Sequence, residues 1–326
     1  MKSKINLLCL FMILIYTGIV GANSLDSVDF LLDWVPNTNH TGIYVALDKG
    51  WYKEEGIELN VIQPSGNMSV EQVVGAGRAD FGISFQEWVT SARVEGVPIV
   101  SLAAVIQHNT SGFASLADKG IKRPRDFTGK SYGGWGLAIE KQILKSMING
   151  DKGDYNKLKL VNIGVGDLLT MLSSNKFDLT WIFYAVQGIQ AEMRGLDLNV
   201  VMLKDYKKLV PDYYTPVIIS SQKYIQNNPD ISSRFMKATG RGYNFAIDNP
   251  LAAAKILLKY TPESDPEYIE KSQAWLSPRY QDDASFWGQQ KLQVWENFGM
   301  WMYEHDLIKS KFDADAAFTN KFLAGE

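Results

Sequence analysis

One stretch near the start of the chain concentrates side chains that could bind a flat, polar ligand. The segment DWVPNTNH, residues 33–40, places Trp34, Asn37, Asn39 and His40 directly after an apolar run. Its proline and asparagines favour a loop at the end of a strand. An aromatic face, two amides and an imidazole gathered there can stack on a heterocycle and hydrogen-bond to its edge. The competing interpretations are helix capping for the asparagines and a structural hydrogen bond for His40.

Two further segments supply amide and carboxylate groups. Phe85, Gln86 and Glu87 follow another apolar run, and Gln107 lies in an extended stretch. Ring nitrogens need paired donors and acceptors once their water is removed, so these side chains suit the edge of a heterocycle. Glu87 could instead be an acid in the first turn of a helix, and Gln107 could serve only a hinge.

The remaining candidates lie in two glycine-containing segments. Gly134 and Trp135 stand in YGGWG, where glycines let backbone amides approach a ligand; a plain tight turn is the alternative. The dinucleotide spacing G-x-G-x-x-G is absent. Tyr184 and Gln187 occur in WIFYAVQGI, residues 181–189. For each aromatic residue at a strand end, burial in the core is the competing interpretation.

Catalytic chemistry has little support in the sequence. The chain has three histidines and one cysteine, Cys9, and it contains neither G-x-S-x-G nor H-E-x-x-H. We therefore expect no catalytic residues, no metal site and no cofactor. A net charge of -3 with scattered basic residues argues against nucleic-acid binding.

The elements that must position these residues follow an α/β pattern. Short β-branched runs alternate with amphipathic stretches, which is typical of mostly parallel sheets. Helices are predicted at 232–248, 250–260 and 284–303, so the last third should be mainly helical. Strands are predicted at 29–34, 57–63, 80–84, 99–105, 131–135, 158–163, 179–184 and 199–203.

Two extended segments suggest how the chain is divided. Residues 103–111 and 213–221 flank a complete α/β unit, as two crossings between domains would. We expect lobe I to comprise residues 23–110 and 218–326, and lobe II residues 111–217. The carboxyl ends of the strands would then face a cleft between the lobes.

The first 22 residues resemble a secretory signal peptide. Lys2 and Lys4 precede a long apolar run, small residues follow it, and no acid occurs before Asp26. An uncleaved membrane anchor is one alternative, and lipid attachment at Cys9 is another. We expect a periplasmic or otherwise extracytoplasmic protein, monomeric, whose mature part has no cysteine.

The segments already described carry a family resemblance. The run DWVPNTNHTGIYVALDKGWYKEEGIELNVIQPSG, followed by GRADFGISFQE and WIFYAVQGI, resembles the ThiY-like substrate-binding proteins of ABC importers, which are related to fungal thiamine-pyrimidine synthases. The resemblance implies a two-lobed periplasmic-binding-protein fold. It also implies a small heterocyclic ligand, a thiamine pyrimidine precursor or thiamine itself, and a membrane permease as partner. Riboflavin or another aromatic vitamin is an alternative.

The resemblance also raises the possibility of an enzyme. The fungal relatives make the pyrimidine with a pyridoxal phosphate lysine, a histidine and a cysteine-rich motif. The predicted mature chain lacks that motif, so we expect no enzymatic activity.

The resemblance further implies that Tyr184 is a stacking tyrosine. The family has an acid shortly after it, whereas Val186 and Gln187 stand here. Either Glu87 or Asp33 supplies the charge, or the ligand differs. We expect Trp34, Tyr184 and Trp135 to sandwich a ring while amides and Glu87 satisfy its edge.

Overall fold

The computed structural model describes residues 24–65, 68–164 and 166–323. The predicted signal peptide and Cys9 lie outside these residues. Among the helices described, none has the length and apolar character needed to cross a membrane.

Ten strands of the described residues form two sheets. All eight predicted strands are present, but β1 ends at Leu31 rather than Trp34, because the chain bends into the loop that contains Pro36. Two strands were not predicted: β5 follows the first extended segment, and β10 lies within the second, which was expected only as extended chain. The strands are β1 Asp26–Leu31, β2 Ile57–Ile62, β3 Phe81–Ser84, β4 Ile99–Ala104, β5 Ser111–Leu116, β6 Ser131–Gly134, β7 Lys159–Asn162, β8 Leu179–Phe183, β9 Leu198–Met202 and β10 Val217–Ser221.

The two sheets share one topology. The first has the order β2-β1-β3-β10-β4 and the second β7-β6-β8-β5-β9. In each sheet one strand, β10 or β5, pairs antiparallel with both neighbours, so the other four point in one direction. The predicted α/β class with mostly parallel strands is confirmed. The carboxyl ends of four strands therefore meet at one edge of each sheet, where binding sites of such folds lie.

Twelve helices of the described residues cover the sheets. The helical C-terminal part is confirmed, but the predicted helix 284–303 begins only at Leu292, since Gly288 adopts a left-handed φ of 88°. Helix α11 was not predicted. The helices are α1 Thr41–Asp48, α2 Trp51–Glu54, α3 Val70–Gly75, α4 Gln86–Val94, α5 Ala138–Gly150, α6 Leu168–Ser173, α7 Ile189–Met193, α8 Gln222–Asn227, α9 Pro229–Asp248, α10 Pro250–Leu258, α11 Pro266–Leu276 and α12 Leu292–Glu304.

Each sheet has its own apolar core. We call the first sheet with its packed helices lobe I and the second lobe II. Helix α12 belongs to the C-terminal part, yet Phe298 and Trp301 pack into the core of lobe II. Residues 105–110 form the first crossing between the lobes and residues 211–216 the second. In the second crossing, the Tyr213 ring stacks on Phe298 with 4.1 Å between centroids. This contact holds α12 against the second crossing.

Candidate functional site

The loop after β1 is organised by His40, which is fully buried. The backbone N–H of Asn37 donates to His40 Nδ1 at 3.2 Å, so this nitrogen carries no proton. The proton is then on Nε2, which donates to Asp33 Oδ1 at 2.7 Å. Because both ring nitrogens are used inside the loop, the geometry gives His40 a positioning role for Asp33 and Asn37. This is the structural alternative raised for His40 from the sequence.

Among the other residues of this loop, Asn37 and Asn39 make hydrogen bonds within the protein, whereas Trp34 is exposed. Asn37 caps the following turn, accepting from the backbone N–H of Asn39 at 2.9 Å and donating to the Val35 carbonyl at 3.0 Å. The Asn39 carbonyl accepts from the Tyr243 hydroxyl. The ring of Trp34 is 67% exposed. The loop therefore presents one large free aromatic face, that of Trp34.

Tyr184 stacks on a tryptophan of the C-terminal part, Trp275. Its ring lies 4.8 Å from that of Trp275 on α11, with 25° between the planes. The Tyr184 hydroxyl donates to Glu192 Oε1 at 2.6 Å. Burial, together with this carboxylate, raises the pKa of Tyr184 to about 12, so the hydroxyl keeps its proton. Glu192 is thus an acid that reaches the tyrosine from eight residues further along the chain.

Trp275 is enclosed on both faces. The guanidinium carbon of Arg279 lies 3.6 Å from the centre of the Trp275 ring. A group so close to the ring centre leaves no room for Tyr184 on the same face, so the two lie on opposite faces. Tyr184, Trp275 and Arg279 therefore form a stack within the protein, and the sandwich of a ligand ring by Trp34, Tyr184 and Trp135 stays a prediction.

The two lobes touch at the strand ends that carry these residues. Phe85, after β3, and Phe183, at the end of β8, stack with centroids 6.4 Å apart. The Ser272 hydroxyl on α11 donates to the Ala185 carbonyl at 2.6 Å and lies 2.8 Å from the Thr38 hydroxyl. The candidate site therefore lies between the carboxyl edges of both sheets, with α11 bridging them.

Three glutamines predicted to bind ligand make contacts with the backbone. Gln86 is buried, accepting from the Tyr214 N–H at 2.8 Å and donating to the Val294 carbonyl at 3.3 Å. Gln107 donates to the Gln289 carbonyl at 3.0 Å. Gln187 accepts from the Phe183 N–H at 3.0 Å. These amides hold the crossings and the end of β8 in place.

The glycine-rich turn after β6 also has a packing role. A Cβ atom at Gly134 would lie 2.3 Å from the Tyr132 ring, so glycine is required there for the tyrosine. Buried Glu140 accepts from the Tyr132 hydroxyl at 2.8 Å and from the Trp135 N–H at 3.3 Å. The Trp135 side chain is 47% exposed. Trp135 is therefore available to a ligand, whereas Gly134 shapes the turn.

Glu87 is the candidate whose polar group is least satisfied. The residue is half-buried in the first turn of α4, but its Oε2 atom is buried and has no hydrogen-bond partner. Burial raises the pKa of Glu87 to about 8. Its own backbone N–H lowers the pKa, and the charge of Glu71 raises it further. A pKa of about 8 favours the protonated form of this carboxyl group at neutral pH, and its Oε2 atom lacks a partner.

An ion pair joins the two crossings. His108 Nδ1 lies 2.5 Å from Asp212 Oδ2, and Asp212 Oδ1 accepts from the Asn109 N–H at 3.0 Å. His108 Nε2 lies 3.4 Å from Asp283. The hydrogen bond to Asp212 raises the pKa of His108, burial opposes this, and the Asp283 charge adds to it.

The ion pair predicts a pH-dependent contribution to stability. Because the pKa is higher in the folded state, the pair contributes fully below the unfolded pKa of about 6.5 and is lost as pH rises through the folded value. Urea unfolding of the protein and of His108→Gln should differ by about 0.5 kcal/mol more at pH 5.5 than at pH 9, since solvent reaches both partners. A difference independent of pH would contradict this role.

Several residues of the site gave no usable sequence signal. Trp275 lies on α11, far from Tyr184 in the sequence, and Glu192 lies on α7, eight residues after Tyr184. No motif links either residue to Tyr184.

No group of three or more metal-binding side chains occurs among the described residues. A surface cavity of about 220 Å³ adjoins the strand ends, lined by Tyr132, Gly134, Gly136, Glu140, Lys141, Leu160, Val161 and Asn162.

Comparisons with known proteins find both a binding protein and a synthase that are similar to this chain. The family described as NMT1/THI5 like matches residues 37–253. The formylaminopyrimidine-binding protein of Halalkalibacterium halodurans is 28% identical over 304 residues, 91% of each chain. The 4-amino-5-hydroxymethyl-2-methylpyrimidine phosphate synthase of Legionella pneumophila is 24% identical over 299 residues, 91% of this chain and 92% of that protein.

Solved structures show the same fold. The periplasmic aliphatic sulphonate binding protein SsuA from Escherichia coli superimposes with a TM-score of 0.70 at 12% identity, covering 90% of this chain and 97% of the other. The alkanesulfonate-binding protein SsuA from Xanthomonas axonopodis, bound to MOPS, gives 0.67 at 10% identity, covering 90% and 98%. The periplasmic-binding-protein fold expected from the sequence is confirmed.

Proposed function

The chain belongs to the NMT1/THI5-like family, and we propose that it is an extracytoplasmic solute-binding protein that captures an amino-substituted pyrimidine for an ABC importer. The observation that carries the proposal is the meeting of aromatic rings from both lobes at the strand ends. Tyr184 with Trp275 and Phe85 with Phe183 each join the two lobes. Such pairs form or separate when the lobes close or open, so a planar ligand can favour one state.

Binding without chemistry is supported by the state of the histidines. A synthase of this family would need a reactive histidine, according to the resemblance. His40 is buried with both nitrogens engaged, and His108 is paired with Asp212. His40 lies in the segment that carries the resemblance, and its burial with both nitrogens engaged favours a binding protein over a synthase.

The two crossings would let the lobes close on a ligand. We propose lobe I as residues 23–110 and 218–326 and lobe II as residues 111–217, rotating about residues 105–110 and 211–216. The protein would act as a monomer outside the cytoplasmic membrane and present its closed form to a permease.

A ligand panel tests this function. We expect formylaminopyrimidine to raise the melting temperature of the protein, whereas thiamine, riboflavin and pyridoxal phosphate raise it less. A ligand at 100 times its Kd adds about 2.7 kcal/mol of stability. Calorimetry then gives the affinity, and small-angle scattering with and without ligand reports closure. Stabilisation by riboflavin alone would mean that the ligand is a flavin and not a pyrimidine. A covalent pyridoxal phosphate adduct would support an enzyme instead.

A further inference from the structure

Two buried polar atoms near the crossings have no hydrogen-bond partner. One is Oε2 of Glu87, and the other is Nδ2 of Asn109. Asn109 is fully buried, and its Oδ1 atom already accepts from the N–H and the hydroxyl of Ser111, at 2.8 and 2.6 Å. A buried donor or acceptor without a partner costs about 1–3 kcal/mol, so a molecule that hydrogen-bonds to these atoms would gain affinity from them.

These atoms lie where three segments converge. Glu87 is in the first turn of α4, Asn109 in the first crossing and Tyr213 in the second. Burial, and next the charge of Glu87, raise the pKa of Tyr213 well above its usual value, and Asn109 beside its hydroxyl lowers it. The residue before α4 is Phe85, whose ring meets Phe183 of lobe II. The three polar side chains thus lie close together where α4 meets the two crossings.

The charges around Glu87 do not favour a carboxylate. Glu71 on α3 and Tyr213 are the titratable groups that face it, and the next pair along the second crossing is Asp212 with His108. In the part of the chain that the structure describes, no lysine, arginine or histidine pairs with Glu87. Glu71 itself accepts from the hydroxyls of Ser69 and Ser84. The surroundings therefore suit a neutral carboxyl group.

We propose that Glu87 acts as a neutral carboxylic acid that recognises the donor–acceptor edge of an uncharged amino-heterocycle, with the Asn109 amide donating to the same ligand. The carboxyl O–H donates to a ring nitrogen while its carbonyl oxygen accepts from the adjacent amino group. The proposal rests on the proposed function and makes Glu87 a determinant of specificity. It selects rings with an amino group beside an unprotonated nitrogen and disfavours cationic rings.

The ionised and the neutral form of Glu87 predict opposite effects of the substitution Glu87→Gln on ligand affinity. Glutamine matches the neutral acid in shape and also donates and accepts, whereas it poorly replaces a carboxylate. Leucine of similar size can do neither. Glu95, exposed at the end of the same helix, gives a matched control in Glu95→Gln.

Calorimetry with formylaminopyrimidine between pH 6 and 9.5 tests the proposal. We expect wild-type affinity to be level below pH 7 and to fall by up to about tenfold per pH unit above pH 8, with proton uptake on binding there. Glu87→Gln should bind about three- to fivefold more weakly at pH 7 and lose this pH dependence, while Glu87→Leu should lose about 30-fold or more. Glu95→Gln should follow the wild type.

The alternative outcomes are distinct. If Glu87→Gln loses as much affinity as Glu87→Leu, or if affinity rises with pH and protons are released, Glu87 acts as a carboxylate and the proposal is overturned. Equal binding by all variants shows that Glu87 does not contact the ligand. If the folded wild type binds no ring of the panel, the proposed function fails and this inference fails with it. Melting curves of each variant without ligand separate misfolding from lost contacts.

Discussion

Replacing Gly242 by alanine is expected to destabilise the protein by about 3 kcal/mol, because helices α1 and α9 touch through backbone at this point. A Cβ atom at Gly242 would lie 1.9 Å from the carbonyl oxygen of Gly42 and 3.1 Å from Ala46. The obstructing atom is backbone within a helix, so it cannot rotate away. The two helices would have to separate, and the core of lobe I would lose contacts.

Gly240 provides the matched control on the same helix. A Cβ atom there would meet only the Trp287 ring, at 3.7 Å, an ordinary contact distance. Gly240→Ala should therefore stabilise the protein by about 0.5–1 kcal/mol, the usual gain for alanine over glycine in a helix. Urea unfolding measures both. Equal midpoints for the two variants would show that α1 and α9 tolerate separation.

The fold was largely predictable because its signals are local. Alternating β-branched and amphipathic runs placed eight strands and most C-terminal helices. Strands β5 and β10 were missed as strands, since their antiparallel pairing depends on the chain passing twice between lobes. Helix α11 was not predicted, although the sequence carries its start signal: Asp265 caps the helix and Pro266 is its first residue.

The sequence indicates the region of the candidate site, but not which of its side chains are free to contact a ligand. Strand ends converge wherever four strands point the same way, so Trp34, Glu87 and Tyr184 could be nominated from their positions. Whether a side chain is free depends on partners that the sequence does not reveal. The buried imidazole of His40 and the amide of Gln86 are both engaged by backbone, whereas Asn109 has an unpartnered donor.

The largest effect on binding is expected for Tyr184→Ala, which should weaken the affinity for formylaminopyrimidine by about 2–4 kcal/mol, the range of aromatic hot spots. The substitution removes the ring at the carboxyl end of β8 and leaves Trp275 without its stacking partner. Tyr184→Phe keeps the ring and loses only the hydrogen bond to Glu192, so it should cost about 1 kcal/mol. Titration calorimetry of the folded variants measures both.

Two further variants show which aromatic faces the ligand uses. Trp34→Ala should weaken binding by about 1 kcal/mol, because its ring is mostly exposed and gains burial only when the lobes close over a ligand. Trp275→Ala should also weaken binding, because Tyr184 loses its support from α11 while Arg279 remains. Tighter binding by Trp275→Ala would instead mean that the indole occupies the ligand's place on Tyr184. Wild-type affinity in Tyr184→Ala would remove the tyrosine from the site altogether.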